Sequence, residues 1–200
     1  MVPAGTSVLD TAYRKGLLVN AVSSWEGIAY AWGDAPFLKS AGAEDYADLL
    51  FDEKAMAIAH KAQVVGPWPG HGAFRRDKFT GQLALHLIED RQPDLMYIGF
   101  GETDEFGHRN DYSAYLDALS WADRFVGKLR ELLIRLDKLD KTLIIITADH
   151  GRSRRFYDHG REPESAKVWL ISNKKISLAG NRLANIAPII AKSLSLDEKV

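Results

Sequence analysis

The stretch DLMYIGFGETDEFGH, residues Asp94–His108, joins a short apolar run directly to a polar segment with an Asp and a His in D-x-x-x-H spacing. The stretch TLIIITADHG, Thr142–Gly151, has the same order and ends in Asp-His-Gly, a triplet that recurs nine residues later. Short apolar runs rich in β-branched residues are typical of strands buried on both faces of a parallel sheet. We therefore predict two such strands, each followed by metal-binding residue types.

Between the two runs the chain has the periodicity of a long amphipathic helix. Its apolar stripe consists of Leu116, Leu119, Val126, Leu129, Leu133 and Leu136. Strand, helix and strand in this order predict a right-handed βαβ unit in which the two strands are parallel neighbours. The flanking sequence predicts further elements: helices at TSVLDTAYRKG, DYADLLFDEKAMAIAHKA, KFTGQLALHLIEDR and NRLANIAPIIAKSL, strands at NAVSSW, QVVG and AKVWLIS, and a turn-rich loop at GPWPGHG.

These elements predict an α/β fold with a mainly parallel sheet flanked by helices, in a single domain of residues 1–200. With 46% hydrophobic and 26% charged residues, the composition is typical of a soluble globular domain. A formal net charge of -1 gives no overall attraction for a nucleic-acid polymer or an anionic membrane. No apolar run approaches the roughly 20 residues that span a bilayer. The absence of cysteine excludes disulfides, thiolate zinc sites and cysteine nucleophiles.

Ligands of open α/β sheets bind beyond the carboxyl ends of the strands. Both predicted strands end in carboxylate and imidazole side chains, and a further histidine follows the second pair. The candidate metal ligands are Asp104, His108, Asp149, His150 and His159. Such oxygen and nitrogen donors suit Zn²⁺, Mn²⁺ or Fe. Either motif alone is commonly a surface accident, so the metal interpretation depends on their conjunction. We interpret His60 and His86, which lie in helical patterns, as structural.

The segments YIGFGETDEFGHRNDYSAYLDAL and IIITADHGR, with the later DHG, resemble the alkaline phosphatase superfamily. The resemblance is to its type I phosphodiesterase, sulfatase and phosphoglyceromutase-like branches. It implies an alkaline-phosphatase-like core with two divalent metal ions, Zn or Mn. Carried over by motif, Asp104, His108 and His159 would hold one ion, and Asp149 and His150 the other.

The start of the chain departs from the family pattern. The family has an Asp on its first strand and a Ser or Thr nucleophile at the start of the following helix. Residues 1–19 contain no such segment, and Ser23 and Ser24 are the only substitutes. The catalytic nucleophile is therefore unknown. We expect the chain to correspond to the C-terminal two thirds of the family core, to associate with itself through an exposed sheet edge, and to bind metal with weak ester turnover.

The basic run RSRR contains Arg152, Arg154 and Arg155, between the two Asp-His pairs. Two interpretations stay open: a solvated loop, or guanidinium groups that bind a phosphate or sulfate.

The functional prediction is a metal-dependent hydrolase of small phosphate or sulfate esters. The first alternative is a non-catalytic metal-binding remnant or interaction module on the same fold. The second is a phosphomutase, for whose cap domain this length leaves little room. The family permits a periplasmic or extracellular location, although the sequence has no signal peptide at its start.

Overall fold

The computed structural model describes residues 7–65, 73–160 and 162–196. In chain order its elements are α1 Val8–Arg14, β1 Val19–Ser23, β2 Leu38–Ala41, α2 Glu53–Val65, α3 Asp77–Arg91, β3 Leu95–Gly99, α4 Glu102–His108, α5 Tyr112–Arg135, β4 Ile145–Thr147, β5 Leu170–Ser172 and α6 Ile186–Ser193. Short 3₁₀ helices lie at Glu26–Ala31, Ala47–Leu49, Leu139–Lys141 and Leu183–Asn185. The α/β class is confirmed. None of the helices in the described ranges is both long and apolar enough to cross a membrane.

The main sheet has the order β2-β1-β3, and both pairings are parallel. Every residue of the central strand β1 is buried. On one face of the sheet, Val22 packs with Leu83 and Leu87 of α3 and Phe125 of α5. On the other face, a second cluster surrounds Leu9, Ala21 and Trp32. The sheet is thus covered on both faces, as continuous apolar strands require.

The predicted pairing of β3 with β4 is wrong. Strand β4 pairs instead with β5, in antiparallel orientation, in a separate two-stranded sheet. The apolar run before β4 is stabilised by side-chain packing, since Ile144 packs against the cluster of Ile88, Leu132 and Leu133. A strand of three residues also forms few ladder hydrogen bonds.

Two further predictions from the sequence need correction, and one strand was missed. The QVVG strand is wrong, because residues 63–65 are the last turn of α2. The apolar stripe of α5 is incomplete, since Leu116 and Leu119 are each 42% exposed. Strand β2, Leu38–Ala41, was not predicted at all. The predicted loop GPWPGHG, which includes His71, lies outside the described residues.

Candidate metal centre

Helix α4 supplies the first two candidate ligands. It begins three residues after the last residue of β3, so its N-terminal end is fixed at the carboxyl edge of the main sheet. Asp104 and His108 are four residues apart and therefore lie on the same helix face. The Oδ2 atom of Asp104 is 3.3 Å from Nε2 of His108.

The loop after β4 brings its histidines onto this helix. Nε2 of His150 is 3.6 Å from Oδ1 of Asp104 and 3.6 Å from Oδ2 of Asp149. The rings of His150 and His159 stack with centroids 3.9 Å apart, and the His108 and His159 centroids are 4.9 Å apart. The five residues therefore converge, although the strands before them do not pair.

The donor set fits a divalent ion. One ligand atom each of Asp104, His150 and His159 lie within 4.8 Å of one another, and all three residues are half-buried. One carboxylate oxygen and two imidazole nitrogens are ligands that Zn²⁺ and Mn²⁺ accept. The family resemblance assigns Asp104 and His159 to one ion and His150 to the other, so this triad combines ligands from both groups. Asp149 lies at the rim, where its side chain is 88% exposed.

Backbone carbonyls orient two of the imidazole rings. Nδ1 of His108 is 3.2 Å from the carbonyl oxygen of Tyr157, and Nδ1 of His150 is 3.0 Å from that of Gly151. A carbonyl oxygen only accepts hydrogen bonds, so Nδ1 carries the proton in both rings. This tautomer leaves Nε2 of each ring as the metal donor.

The three loop arginines have different surroundings. The Arg152 guanidinium donates to the carboxylate and the backbone carbonyl of Asp104, and its side chain is only 12% exposed. It crosses α4 at Gly107, where a Cβ atom would collide with the guanidinium. Arg154 is exposed and donates to Glu164 from Nε at 2.9 Å. Arg155 is exposed, with Nη1 3.5 Å from the Tyr157 hydroxyl. Of the three, Arg152 lies within the centre.

An aromatic contact fixes the loop to α5. Phe156 has a left-handed backbone with φ of 68°, which is rare for a bulky residue. Its ring lies edge-on to Tyr112 and to Tyr115, with each pair of centroids 5.1 Å apart. The neighbouring Tyr157 carbonyl is the partner of His108, so the anchored loop is the segment that orients the ring.

The substitutes for a nucleophile are not accessible. Ser23 and Ser24 are 3% and 0% exposed. The Ser24 hydroxyl donates to Oδ1 of Asp77 at 2.6 Å, inside the protein. Neither hydroxyl reaches solvent, so neither serves as a surface nucleophile in this structure.

Two buried carboxylates at the starts of α3 and α4 were not identified from the sequence. Asp77 is 1% exposed and Glu102 is 7% exposed. Burial, followed by the charge of Glu102, raises the pKa of Asp77 to about 7, while hydrogen bonds from Ser24 and from the Gly101 and Glu102 amides act in the opposite direction. The sequence signal was an acidic residue at the start of each helix, which is too common to single out a pair.

Comparison with known proteins places the chain in a family. The family model described as the metalloenzyme superfamily matches residues 76–198, more than half of the chain. Phosphopentomutase of Desulfitobacterium hafniense (strain DSM 10664 / DCB-2) is 27% identical over 183 residues, which cover 82% of this chain and 46% of that protein. The 2,3-bisphosphoglycerate-independent phosphoglycerate mutase of Gloeobacter violaceus is 28% identical over 131 residues, 58% of this chain and 24% of the relative.

The chain thus spans less than half the length of these curated relatives. No solved structure matches. The relatives are named as mutases, so the hydrolase, sulfatase and phosphodiesterase predictions are not confirmed. The chain belongs to the metalloenzyme superfamily, which is alkaline-phosphatase-like.

Proposed function

We propose that this chain carries the metal centre of a phosphomutase-type enzyme that moves a phosphoryl group within a small phosphorylated substrate. The observation that carries the proposal is the convergence of Asp104, His150 and His159 within 4.8 Å. The names of the relatives favour a mutase over the hydrolase that the sequence predicted, and they suggest a pentose phosphate or a phosphoglycerate as substrate.

Divalent ions bound at such a centre supply positive charge that polarises phosphoryl oxygens and stabilises an in-line displacement. In the proposal, Asp104, His108 and His159 hold one ion, and Asp149 and His150 contribute to a second. Because Asp104 lies between His108 and His150, its two oxygens can serve both sides of the centre. Mn²⁺ and Zn²⁺ are the ions to test first, since both accept oxygen and imidazole donors.

Arg152 is the proposed phosphate-binding residue among the three arginines. Its Nη1 atom is buried and has no hydrogen-bond partner among the described residues. A buried guanidinium nitrogen without an acceptor is costly, and a phosphoryl oxygen would satisfy it. Arg154 and Arg155, which are exposed, are weaker candidates for the same role.

The metal part is tested by calorimetric titration of Mn²⁺ and of Zn²⁺ into the chain and two variants. His150→Ala should weaken binding at least tenfold, because it removes a ligand. His60→Ala is the matched control, since His60 is an exposed histidine on α2, remote in sequence from all five candidate ligands. Equal affinity in the wild type and His150→Ala would contradict the proposed centre.

The reaction is tested by ³¹P NMR of a pentose 1-phosphate or a phosphoglycerate incubated with the metal-loaded protein. A mutase gives an isomeric phosphate ester, and we expect slow turnover because neither Ser23 nor Ser24 is accessible as a nucleophile. Release of inorganic phosphate would instead favour the hydrolase. If metal binds and neither product forms, the non-catalytic binding module is favoured. Loss of the isomer in Arg152→Ala, with metal affinity retained, would support the phosphate-binding role.

A further inference from the structure

Two helices begin against each other beneath the candidate centre. Asp77 is the first residue of α3 and Glu102 is the first residue of α4. The Asp77 carboxylate accepts hydrogen bonds from the Gly101 amide at 2.9 Å and the Glu102 amide at 3.1 Å. Glu102 returns the contact, since its Oε1 accepts from the Asp77 amide at 3.2 Å. Each carboxylate therefore caps the helix that begins with the other.

The surroundings hold this pair in one arrangement. Ser24, at the end of β1, donates to Asp77 at 2.6 Å. Arg76 donates to Oε1 of Glu102 from Nε at 3.0 Å. Both carboxylates are almost fully buried, so losing any of these partners would leave a buried polar group unsatisfied. At Gly101 a Cβ atom would lie 2.8 Å from the Phe74 ring, so the backbone enters α4 through a space that only glycine fits.

Helix α4 has only seven residues. A helix this short is not stable by itself, so its direction is set by contacts at its ends. At its N-terminal end, the Gly101 and Glu102 amides donate to Asp77. Asp104 lies two residues after Glu102, and His108 lies about one helical turn after Asp104.

We propose that Asp77 and Glu102 form a reciprocal capping pair that positions Asp104 and His108 for metal binding. Neither carboxylate needs to touch the ion, so both are positioning residues. The inference relies on the metal centre of the proposed function and adds Asp77, which lies outside the sequence motifs, and Glu102, to which the motifs gave no role. Residues that orient metal ligands typically change affinity about 10- to 100-fold when they are mutated.

The test variant is Asp77→Asn. Asparagine keeps the shape and one acceptor oxygen but places an NH₂ group where an acceptor now meets a backbone amide, so one cap is lost. The control is Asp52→Asn, the same change at a carboxylate that accepts from the Ala55 amide at 2.9 Å at the start of α2 and also lies 2.8 Å from Nε2 of His86 on α3. Helix α2 packs on α3 but carries none of the five candidate ligands.

Calorimetry with Mn²⁺ should show an affinity at least tenfold weaker in Asp77→Asn and unchanged in Asp52→Asn. Hydrogen exchange of the metal-free proteins gives an independent reading. One of the Gly101 and Glu102 amides, the one that faces the new NH₂ group, should lose protection in Asp77→Asn, while the amides of α5 keep theirs. Unchanged protection together with wild-type affinity would overturn the capping pair.

A second pair of variants separates positioning from mere folding. Glu102→Gln keeps the Oε1 acceptor and should bind Mn²⁺ within about threefold of the wild type, whereas Glu102→Ala should reproduce the loss seen in Asp77→Asn. Equal affinities of Gln and Ala variants that are both folded would exclude the role of Glu102. If the wild type itself binds no Mn²⁺, the proposed function fails, and the exchange measurement still decides whether the capping pair fixes α4.

Discussion

The regions before and after residue 134 differ in how they are stabilised. In the described chain, every buried apolar side chain except Leu196 lies in the earlier region. Almost all of the described residues of the later region are half-buried or exposed, and Trp169 and Ile171 are 49% and 57% exposed. The candidate centre lies at the boundary, because Asp104 and His108 come from the earlier region while Asp149, His150 and His159 come from the later one.

The difference shows that a candidate metal centre can combine ligands from a well-packed region and from a more exposed one. The well-packed region holds α4 through the capping pair, and the less packed region closes onto it with one loop. Arg152 is one direct link, since it binds Asp104 across Gly107, and the contact of Phe156 with Tyr112 and Tyr115 is another. An ion shared by both regions would add a further link. The following predictions test this contrast, from the largest expected effect to the smallest.

Truncating a core side chain should separate the two regions most clearly. Leu83→Ala, at a fully buried position in α3, should lower the free energy of unfolding by about 2–5 kcal/mol. Ile171→Ala, on the exposed strand β5, should change it by no more than about 0.5 kcal/mol. Urea denaturation of both variants is the measurement, and similar losses would contradict the contrast in packing.

The pH dependence of stability should report the buried carboxylate of the earlier region. The pKa of Asp77 is raised to about 7 from an ordinary value of 3.8, chiefly by burial. The native state therefore binds this proton more tightly than the unfolded chain does. The contribution of Asp77 to stability is present below about pH 4 and declines as pH rises to about 7, by a few kcal/mol.

Asp77→Asn should lack this decline, so its stability relative to the wild type should increase between pH 4 and pH 7. Urea unfolding at several pH values measures the difference, in which groups common to both proteins cancel. The charge that acts on the pKa of Asp77 is that of Glu102, to which Arg76 is bonded. The buried Arg75 belongs to the same hydrogen-bond network, since it donates to Thr80, whose hydroxyl is 2.9 Å from that of Ser24. A flat difference curve would mean that Asp77 titrates as it does in the unfolded chain.

Metal should stabilise the folded protein by linking its two regions. At about 100 times the dissociation constant, Mn²⁺ should add about 2.7 kcal/mol to the free energy of unfolding. Asp104→Ala should abolish this gain, because Asp104 contacts the ligands of both regions. Thermal unfolding with and without Mn²⁺ is the measurement, with His60→Ala as the variant that should retain the full gain.

Because Arg152 crosses α4, the effect of Gly107→Ala on stability should depend on whether Arg152 is present. Gly107→Ala should destabilise the protein by about 1–3 kcal/mol, because the new methyl group displaces the guanidinium. In an Arg152→Ala background the same change should instead stabilise by up to about 1 kcal/mol, since alanine is the better helix former. If Gly107→Ala also destabilises the protein in the Arg152→Ala background, the Arg152 guanidinium is not the group that the new methyl group displaces.

Much of the fold could be predicted from periodicity, because long elements bury one face. Helices α3 and α5 and strand β3 were predicted this way. Strand β2, with the sequence LKSA, is too short and too polar to give a signal. The partner of β4 could not be predicted, because a strand of three residues fits a parallel or an antiparallel ladder equally well.

The candidate centre was predicted from motifs that follow apolar strands, and the structure brings the five residues together; their role as ligands stays a prediction. The capping pair could not be predicted. Asp77 and Glu102 are 25 residues apart, and each reads as an ordinary acidic residue at a helix start. Only the tertiary arrangement shows that each caps the other's helix.

The anchored ring of Phe156 has a consequence for protein engineering. Because that ring is held between Tyr112 and Tyr115, the three-residue path from it to His159 cannot change length without moving the imidazole. An insertion is also excluded at Arg154 and Arg155, because hydrogen bonds close the backbone from Ser153 to Asp158. A spectroscopic label near the candidate centre should therefore be attached by substituting one of these two exposed side chains, which leaves the length of the loop unchanged.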